Sequence, residues 1–465
     1  MKNNKLTAAV VAGVAGVAGM ASIANAANLN PDGLGEVLIY PYYTVNNDLN
    51  TLLSVVNTTS DVKAVKVRFL EGDNSQEVLD FNLYLSPFDV WTAALSATAT
   101  GGQLTTFDNS CVPFLGNPQP FLEFAFVLDA GSDAEERERD GHFEMLEMAV
   151  VTDPVLAPSA THVNGVPANC GALAAAWLPG GQWFINPTNG VDFATGGLFG
   201  SAVIVDVAEG TAVSYNAEAI NGFYPPTGGF SHSDPGDLLP SLASSYETSI
   251  VFLNGSVVTS DWLEGEDAIS ALFMRDRVFN EFVLGSGINA KTEYVLTFPT
   301  KRFYVDPASG PIRPFTTVFN SPAGACEEFT ITLYDREEQT VDATGTVSPS
   351  PPGQNPELCW ETNIVNFYNS ATGGAAETPS PVFGSTNEVS VNTNPFDAGW
   401  ADITFTGSAP MTDLNNIWTY EGYPVTGFAA QTYTNTNAQP GLLAQYAALF
   451  NHRYSRDITS AAPTP

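Results

Sequence analysis

The chain has four histidines, the side chain best suited to proton transfer and to zinc binding, at His142, His162, His232 and His452. No two of them have the H-x-H or H-x-x-x-H spacing that places two ligands on one side of a strand or helix. The sequence therefore gives no support to a zinc site. We expect each histidine to be an ordinary surface group.

Serine, histidine and aspartate stand side by side at Ser231, His232 and Asp234. Members of a hydrolytic triad converge in space from distant positions, so this adjacency is not evidence for one. The chain also lacks the G-x-S-x-G motif of a nucleophile elbow. Because Ser, Asp, Pro and Gly favour turns, we interpret the run as part of a linker.

Paired carboxylates are the remaining route to hydrolysis. Glu144 and Glu147 lie three residues apart in a strand predicted over 143–151, which directs them to opposite faces. A glycosidase needs two carboxylates facing each other about 5–9.5 Å apart. The chain has no phosphate-binding loop, dinucleotide fingerprint, EF-hand loop or H-E-x-x-H motif. The sequence predicts a protein that is not an enzyme.

The four cysteines, Cys111, Cys170, Cys326 and Cys359, contain no C-x-x-C pair, which argues against a zinc ribbon, a thioredoxin site or a haem attachment. In an exported chain an even number of cysteines indicates disulfides. The simplest pairing is Cys111–Cys170 and Cys326–Cys359, each contributing about 4 kcal/mol at most. Two other connectivities, which would join the halves of the chain, stay open.

Residues 1–26 have the pattern of a secretory signal peptide. Lys2 and Lys5 precede an apolar run from Leu6 to about Ile23, and Ala24-Asn25-Ala26 is a small-residue cleavage site. The run is rich in Ala, Gly and Val, whereas a membrane-spanning helix needs about 20 strongly apolar residues. We expect cleavage after Ala26, a mature chain without a transmembrane span, and a location at the cell surface, in the outer envelope or outside the cell.

The chain is strongly acidic, with a formal charge of −34 that becomes −36 once Lys2 and Lys5 are removed. That balance excludes nucleic acid as a partner, because phosphate contacts need clustered Lys and Arg, and it disfavours anionic lipid surfaces. Only 14% of the residues are charged, so the surface must be mostly uncharged polar groups. We predict no cofactor, although carboxylates and carbonyls could hold Ca²⁺ weakly.

The fold class is predicted as mainly β, with two antiparallel β-sandwich-like domains and one or two short helices. In the strand at 63–70, Val65, Val67 and Phe69 alternate with polar residues, and 77–85 alternates in the same way. Strands recur every 8–12 residues between Asn, Asp and Gly turns, which is typical of a sandwich.

We predict the following organisation from these strands and from a Pro/Gly-rich boundary near 224–240. The N-terminal sandwich occupies 27–225, a linker 226–240, and a second sandwich-like domain 241–440. Ile269, Leu272, Phe273, Phe279 and Phe282 recur at three- and four-residue steps, which predicts a helix over 267–282. Residues 441–465 are assigned to a C-terminal helix, from Leu442 to Tyr454, and a tail.

Two features indicate contact with other molecules. Aromatic clusters near turns could stack on sugars or anchor a protein, although the sandwich core is the simpler interpretation; they are Tyr40-Pro41-Tyr42-Tyr43, Trp177-Leu178 with Trp183-Phe184, and Trp418-Thr419-Tyr420. The second feature is a basic group around Lys301-Arg302. It could meet an acidic patch on a second copy, or form ion pairs within the chain.

Four segments have a familiar pattern: 35–45 (GEVLIYPYYTV), 67–71 (VRFLE), 297–304 (TFPTKRFY) and 451–456 (NHRYSR). Taken together, they resemble a group of exported proteobacterial proteins that has no assigned activity. The match extends over most of the mature chain, and the resemblance implies neither a mechanism nor a site.

The function predicted first is an exported structural or assembly protein of the cell surface, such as a surface-layer, fibre or adhesion component, with self-association or an envelope component as partner. Export, a β fold, acidic composition and the lack of catalytic motifs favour it. The alternative is an extracellular protein that binds carbohydrate or another polymer. An extracellular hydrolase is the third and weakest hypothesis.

Overall fold

The computed structural model describes residues 26–129, 135–350 and 354–461. The fold is mainly β, with 45% strand and 12% helix, and its strands form several antiparallel sheets joined by a few short helices, as predicted for the fold class. The predicted signal peptide lies, apart from Ala26, outside the described residues. No helix in the described ranges is both long and apolar enough to cross a membrane.

The first half of the chain folds into two large sheets. Its strands are β1 Asn28–Leu29, β2 Val37–Thr44, β3 Asn50–Asn57, β4 Lys63–Glu71, β5 Glu77–Leu85, β6 Val90–Ala97, β7 Gly102–Thr105, β8 Gln119–Pro120, β9 Asp140–Val151, β10 His162–Val163, β11 Val166–Pro167, β12 Val191–Asp192, β13 Leu198–Asp206, β14 Thr211–Asn216 and β15 Glu218–Asn221. One sheet has the order β1-β15-β2-β9-β4-β5, with β12 beside β9, and the other β14-β13-β3-β6-β7-β8.

The inner faces of these two sheets share one apolar core. Val65, Val67 and Phe69 of β4 project into it from one sheet, and Trp91 and Leu95 of β6 from the other. The alternating pattern of β4 therefore forms one wall of a sandwich, as expected for strands with one buried face. We call this pair of sheets the first sandwich.

The second half contains β16 Thr248–Leu253, β17 Ser256–Asp261, β18 Met274–Arg275, β19 Arg277–Val283, β20 Lys291–Thr297, β21 Glu327–Asp335, β22 Thr340–Asp342, β23 Val347–Ser348, β24 Glu357–Leu358, β25 Thr362–Tyr368, β26 Glu388–Asn392, β27 Ala398–Phe405, β28 Met411–Thr412, β29 Trp418–Tyr420, β30 Tyr423–Pro424, β31 Thr426–Gln439, β32 Leu442–Asn451, β33 Arg453–Ser455 and β34 Ile458–Ser460. Two sheets, β22-β21-β27-β19-β33 and β23-β26-β25-β20-β31-β32, enclose a second core and form the second sandwich. The pair β25–β26 is parallel.

The α-helices are short: α1 Leu156–Ala160, α2 Cys170–Trp177, α3 Gln182–Ile185 and α4 Gly265–Phe273. The 3₁₀ turns are Asn46–Asp48, Phe124–Leu128, Glu135–Arg139, Leu242–Ser244, Ser286–Ile288, Lys301–Phe303, Thr344–Thr346 and Ser370–Thr372. Helix α4 packs with β16 and β17 against the first sandwich, near Val37 and Ile39 of β2.

The helix predicted over 267–282 is wrong beyond Phe273. The chain continues as β18 and β19, and β19 is hydrogen-bonded to β27 on one side and to β33 on the other. Phe279 and Phe282 would share one face of a helix, but they lie on opposite faces of a strand. The hydrogen bonds to strands on both sides favour the two-residue period of a strand over the 3.6-residue period of a helix.

The C-terminal helix predicted from Leu442 to Tyr454 is also wrong. Strand β32 pairs with β31 along its length, and Arg453–Ser455 forms β33. Leu, Ala and Gln favour helices, but the hairpin supplies backbone partners and packing that outweigh this weak preference.

The two sandwiches are in direct contact. Val295 of β20 and Phe428 of β31 project from the second sandwich into the first core, where Phe428 stacks on Tyr215 at 5.0 Å between ring centroids. The basic group of the second half also lies at this contact. Arg302 donates to the carbonyl of Ser75 at 2.7 Å, and buried Lys301 donates to the carbonyl of Trp360 at 3.2 Å.

The seven-stranded sheet of the first sandwich has a buried outer face that contains charged side chains beside apolar ones such as Leu146 and Tyr84. We call it the covered face: its outward polar positions on the neighbouring strands β5, β4 and β9 are Asp80, Asn82, Lys66, Arg68, His142 and Glu144. Lys66 pairs with Asp80, and Arg68 pairs with Glu77 and Glu144. The segment 233–237 covers this surface, receiving hydrogen bonds from Lys66 at the carbonyls of Asp234 and Asp237.

The other sheet of the first sandwich, β14-β13-β3-β6-β7-β8, has an outer face that is open to solvent, and we call it the open face. Cross-strand pairing places its side chains in three main rows: Phe199, Val56 and Val90; Asn216, Ser201, Ser54 and Thr92; and Ser214, Val203, Leu52, Ala94 and Thr105. None of these residues carries a charge.

Candidate functional site

A groove with a volume of about 890 Å³ lies between the two sandwiches. One wall is the edge of the open face and the other is the outer face of β19, β27 and β33. The lining residues are Ser201, Val203, Ser214, Tyr215, Asn216, Phe279, Asn280, Glu281, Trp400, Leu449, Phe450, Asn451 and Arg453. This volume is at the upper end of the range for small-ligand sites, about 300–1,000 Å³.

An aromatic platform formed by Tyr334, Trp400 and Phe279 stands at one wall of the groove, which Trp400 and Phe279 line. In-register pairing places Tyr334 of β21 beside Trp400 of β27, and their rings stack at 4.1 Å between centroids with 6° between planes. Phe279 meets Trp400 edge to face at 6.2 Å. All three side chains are partly exposed, although the Tyr334 ring covers one face of the Trp400 indole.

Alternation along the strands explains why these rings face outward. In β27 the even-numbered residues Trp400, Asp402 and Thr404 point away from the core, while Ala401, Ile403 and Phe405 are buried. Arg277 of β19 forms an ion pair with Asp402. Asp402 lies in the row next to that of Trp400, so the ion pair places two charged groups beside the platform.

Polar groups surround the platform. Glu281 and Arg453 supply an exposed carboxylate and an exposed guanidinium, and Asn216 and Ser214 supply an amide and a hydroxyl from the first sandwich. These groups donate and accept hydrogen bonds in all directions, as recognition of a polyhydroxyl ligand requires. The groove thus combines partly exposed aromatic rings with uncharged and charged polar groups.

Hydrogen bonds hold the C-terminal wall of the groove in place. The Asn280 amide donates to the carbonyl of Phe450 at 3.0 Å and lies 3.2 Å from His452 Nδ1. His452 Nε2 lies 3.0 Å from the carbonyl of Val295. Burial lowers the pKa of His452 to about 3, so the ring is neutral, with Nδ1 accepting and Nε2 donating.

The cysteines pair as Cys111–Cys170 and Cys326–Cys359, in agreement with the simplest connectivity. Across the described ranges, one group of histidine, cysteine and acidic side chains is close enough to share a metal ion, and it consists of Cys326, Glu357 and Cys359. Both of its sulfurs are in the disulfide, so they are not available as thiolate ligands.

The histidines are not ordinary surface groups, except for partly exposed His162. His142, His232 and His452 are buried, and burial lowers the pKa of His142 to about 3 and that of His232 to about 4. His232 is enclosed by Trp177 and Trp183, with its ring 4.7 Å from that of Trp183. Asp234 belongs to the segment that covers the charged face, and the Ser231 amide donates to the carbonyl of Met148 at 2.8 Å, so the run has a packing role.

The aromatic clusters identified in the sequence lie mostly in the cores. Tyr40, Tyr42 and Tyr43 are fully buried in the first sandwich, and Tyr420 packs on Trp262. Trp418 is partly exposed, and Phe184 is exposed. The platform of Tyr334, Trp400 and Phe279 was missed, although the alternation of Trp400 with buried Ala401 and Ile403 indicates an outward ring.

Comparison of the chain with protein-family models, with curated proteins and with solved structures gives no match.

Proposed function

We propose that the protein is exported and binds a neutral carbohydrate polymer in the groove. The observation that carries this proposal is the partly exposed Trp400 platform inside a groove lined with amides and hydroxyls. The apolar C–H face of a sugar ring packs on an aromatic ring, while its hydroxyls need donors and acceptors at the ring's edge.

The charge of the chain supports a neutral ligand. A formal charge of −34 repels polyanions at long range, and the groove contains one exposed arginine against one exposed carboxylate. The groove's volume of about 890 Å³ suits several sugar units better than one. Two disulfides are consistent with an oxidising compartment.

The test is affinity electrophoresis in native gels that contain a soluble neutral glucan or mannan, with alginate as the anionic comparison. We expect the neutral polymers to retard the wild-type chain and Trp400→Ala to abolish the retardation. Trp418→Ala is the matched control, since Trp418 is also partly exposed but lies outside the groove.

Trp400 also contacts Tyr334 and Phe279, so a second pair of variants separates binding from folding. Glu281→Gln and Asn216→Ala change exposed groups of the groove and should weaken retardation while leaving the denaturation midpoint unchanged. Equal retardation of all variants, or no retardation of the wild-type chain on any neutral polymer, would refute the proposal.

A structural or assembly role at the cell surface is the second candidate function. The open face, an uncharged sheet surface on an acidic chain, is the observation that favours it.

A further inference from the structure

We propose that two copies of this chain pair face to face through their open faces. This inference does not depend on the identity of the groove's ligand, but Ser201, Val203, Ser214 and Asn216 belong both to the rows and to one wall of the groove, so pairing covers that wall. It rests on the charge pattern of the open face, on the symmetry of its rows and on its size.

The charge pattern restricts which surface two copies can share. The chain has 50 acidic residues against 16 basic ones, so two copies repel each other over most of their surface. Burying an unpaired carboxylate in an interface is strongly unfavourable. The three rows of the open face contain only apolar, hydroxyl and amide side chains, so two copies can meet there without burying a charge.

The rows have a pattern that is complementary to itself. The central row contains Asn216, Ser201, Ser54 and Thr92, and an apolar row containing Val56 or Leu52 lies on each side of it. A two-fold axis through the central row superposes apolar on apolar and hydroxyl on hydroxyl. Hydroxyls both donate and accept, so they can pair with their own kind, which carboxylates and ammonium groups cannot do.

The size of the face is sufficient for a specific but weak interface. Five strands about 4.8 Å apart, with outward residues every two positions, give a face on the order of 500 Å². Two such faces bury about 1,000 Å² in total, which is near the lower limit for a specific interface. Leu52, Val90 and Phe199 are each more than 40% exposed, which is unusual for neighbouring apolar residues on one sheet.

A fully exposed aromatic ring stands at the edge of this surface. Phe107 is 93% exposed and borders a hollow of about 390 Å³, whose lining includes Leu52, Ala94 and Val203. Exposed aromatic rings next to shallow apolar hollows are common anchors at protein interfaces. Pairing would remove Phe107 and Leu52 from water at the same time.

Sedimentation velocity of the purified chain over a range of concentrations tests the pairing. We expect a monomer–dimer equilibrium, with Leu52→Glu and Leu52→Lys each raising the dissociation constant at least about tenfold. Val257→Glu is the matched control, because Val257 is also a 43%-exposed strand residue but lies on β17, outside the open face. This control should dimerise slightly less than the wild-type chain, by general repulsion alone.

The two Leu52 variants together distinguish pairing at this face from a general charge effect. If net charge alone governed association, Leu52→Lys would strengthen it, because the lysine reduces the negative charge. A face-to-face interface is instead weakened by a buried charge of either sign. A chain that stays monomeric at the highest concentrations, or Leu52 variants that dimerise like the wild-type chain, would overturn the inference.

Leu52 does not line the groove, so its variants should keep their retardation by neutral polysaccharide. Loss of dimerisation with retained retardation supports the inference and leaves the proposed function intact. Conversely, Trp400→Ala should lose retardation but still dimerise, which would show that polysaccharide binding and dimerisation use different side chains.

Discussion

The covered face and the open face of the first sandwich reverse the usual distribution of charge. In most antiparallel sheets the buried face is apolar and the solvated face is polar and charged. Here the covered face holds Lys66, Arg68 and Glu144 in burial, whereas the open face exposes Leu52 and Val90 beside serines. The buried charges are matched by partners within the chain, but the open face has no such partner among the described residues.

The difference between the two faces indicates that they have different roles, one within the fold and one outside the monomer. Buried ion pairs contribute little net stability, but removing one partner is costly, so they favour a single arrangement of the elements that they join. Here ion pairs join β4 to β5 and β9. Hydrogen bonds from Lys66 to the covering segment, and from Arg302 of the second half to Ser75, connect this sheet to its neighbours. The exposed apolar side chains of the open face, such as Leu52 and Val90, bury little surface on folding, which is consistent with a role outside the monomer.

The largest expected effect comes from breaking the covered face at its centre. Arg68 bonds to Glu77 at 2.7 Å and to Glu144 at 3.0 Å, and it is 2% exposed. Arg68→Met leaves both carboxylates buried without their cation, so the free energy of unfolding should fall by about 3–5 kcal/mol. Urea denaturation followed by tryptophan fluorescence measures this loss.

The triple variant Arg68→Met, Glu77→Leu, Glu144→Leu is the control for that prediction. It removes the charges together with the cation, so it should recover most of the lost stability. A loss below about 1 kcal/mol in Arg68→Met would show that the carboxylates do not depend on this guanidinium.

The second prediction concerns pH and the contact between the sandwiches. Burial raises the pKa of Glu361 to about 8, against the lowering effects of the Lys301 ammonium, the Ser75 hydroxyl and the Arg302 guanidinium, with Glu71 raising it further. The folded state therefore keeps a proton on Glu361 between its ordinary pKa near 4.5 and pH 8, while the unfolded state has lost it. Stability must then decrease as pH rises through this range.

Glu361 alone should account for about 2–3 kcal/mol of that decrease between pH 6 and pH 8, at about 1.4 kcal/mol per pH unit. Burial also raises the pKa of Asp73 to about 7, which adds to the same slope. Denaturation at several pH values measures it, and Glu361→Gln should reduce the slope, while Asp73, Glu36 and Glu293, whose pKa values burial raises to about 7, keep part of it. Glu281→Gln, which changes an exposed carboxyl, should leave the slope unchanged.

Sequence patterns predict this fold well where a period of two is unambiguous. In β4 the alternation of Val65, Val67 and Phe69 with Lys66 and Arg68 correctly predicts one face in the core. The same pattern suggests that Lys66 and Arg68 face solvent. They do not, because the covering segment packs over them. That segment lies more than 160 residues away in the sequence, and no local signal predicts where it packs.

The groove was not predictable from local patterns for a related reason. Phe279 supported a helix because residues three and four apart share a helical face, and only the pairing of β19 with β27 shows that it lies beside Trp400. The two cysteine pairs, in contrast, were correctly predicted from an even number of cysteines in a chain expected to be exported and from the simplest division of the chain.

The third prediction uses salt to distinguish dimerisation through the uncharged open face from dimerisation through ion pairs. If copies pair through the uncharged face, repulsion between the remaining surfaces opposes dimerisation and salt screens it. Raising NaCl from about 0.01 to 0.15 M shortens the screening length from about 30 to 8 Å and should tighten the dimer several-fold. Sedimentation velocity at each salt concentration measures the shift. Weaker dimerisation at high salt would mean that ion pairs hold the interface.

The smallest effect is expected from polar residues in the centre of the open face. Thr92 is exposed, so Thr92→Val should change the free energy of unfolding by less than about 0.5 kcal/mol. Asn82 on the covered face is the matched position, since it is fully buried and its amide donates to the carbonyl of Ser233 at 2.8 Å. Asn82→Ala should cost about 1–3 kcal/mol, because it leaves that carbonyl without its donor.

The informative measurement for Thr92→Val is therefore dimerisation rather than stability. The substitution replaces a hydroxyl of the central row with a methyl group, so it removes a hydrogen-bonding group without adding a charge. If hydroxyls pair across the two-fold axis, the variant should dimerise more weakly while its denaturation midpoint stays unchanged. Stronger dimerisation would show that apolar contact alone holds the two faces together, and that the hydroxyl row limits the affinity.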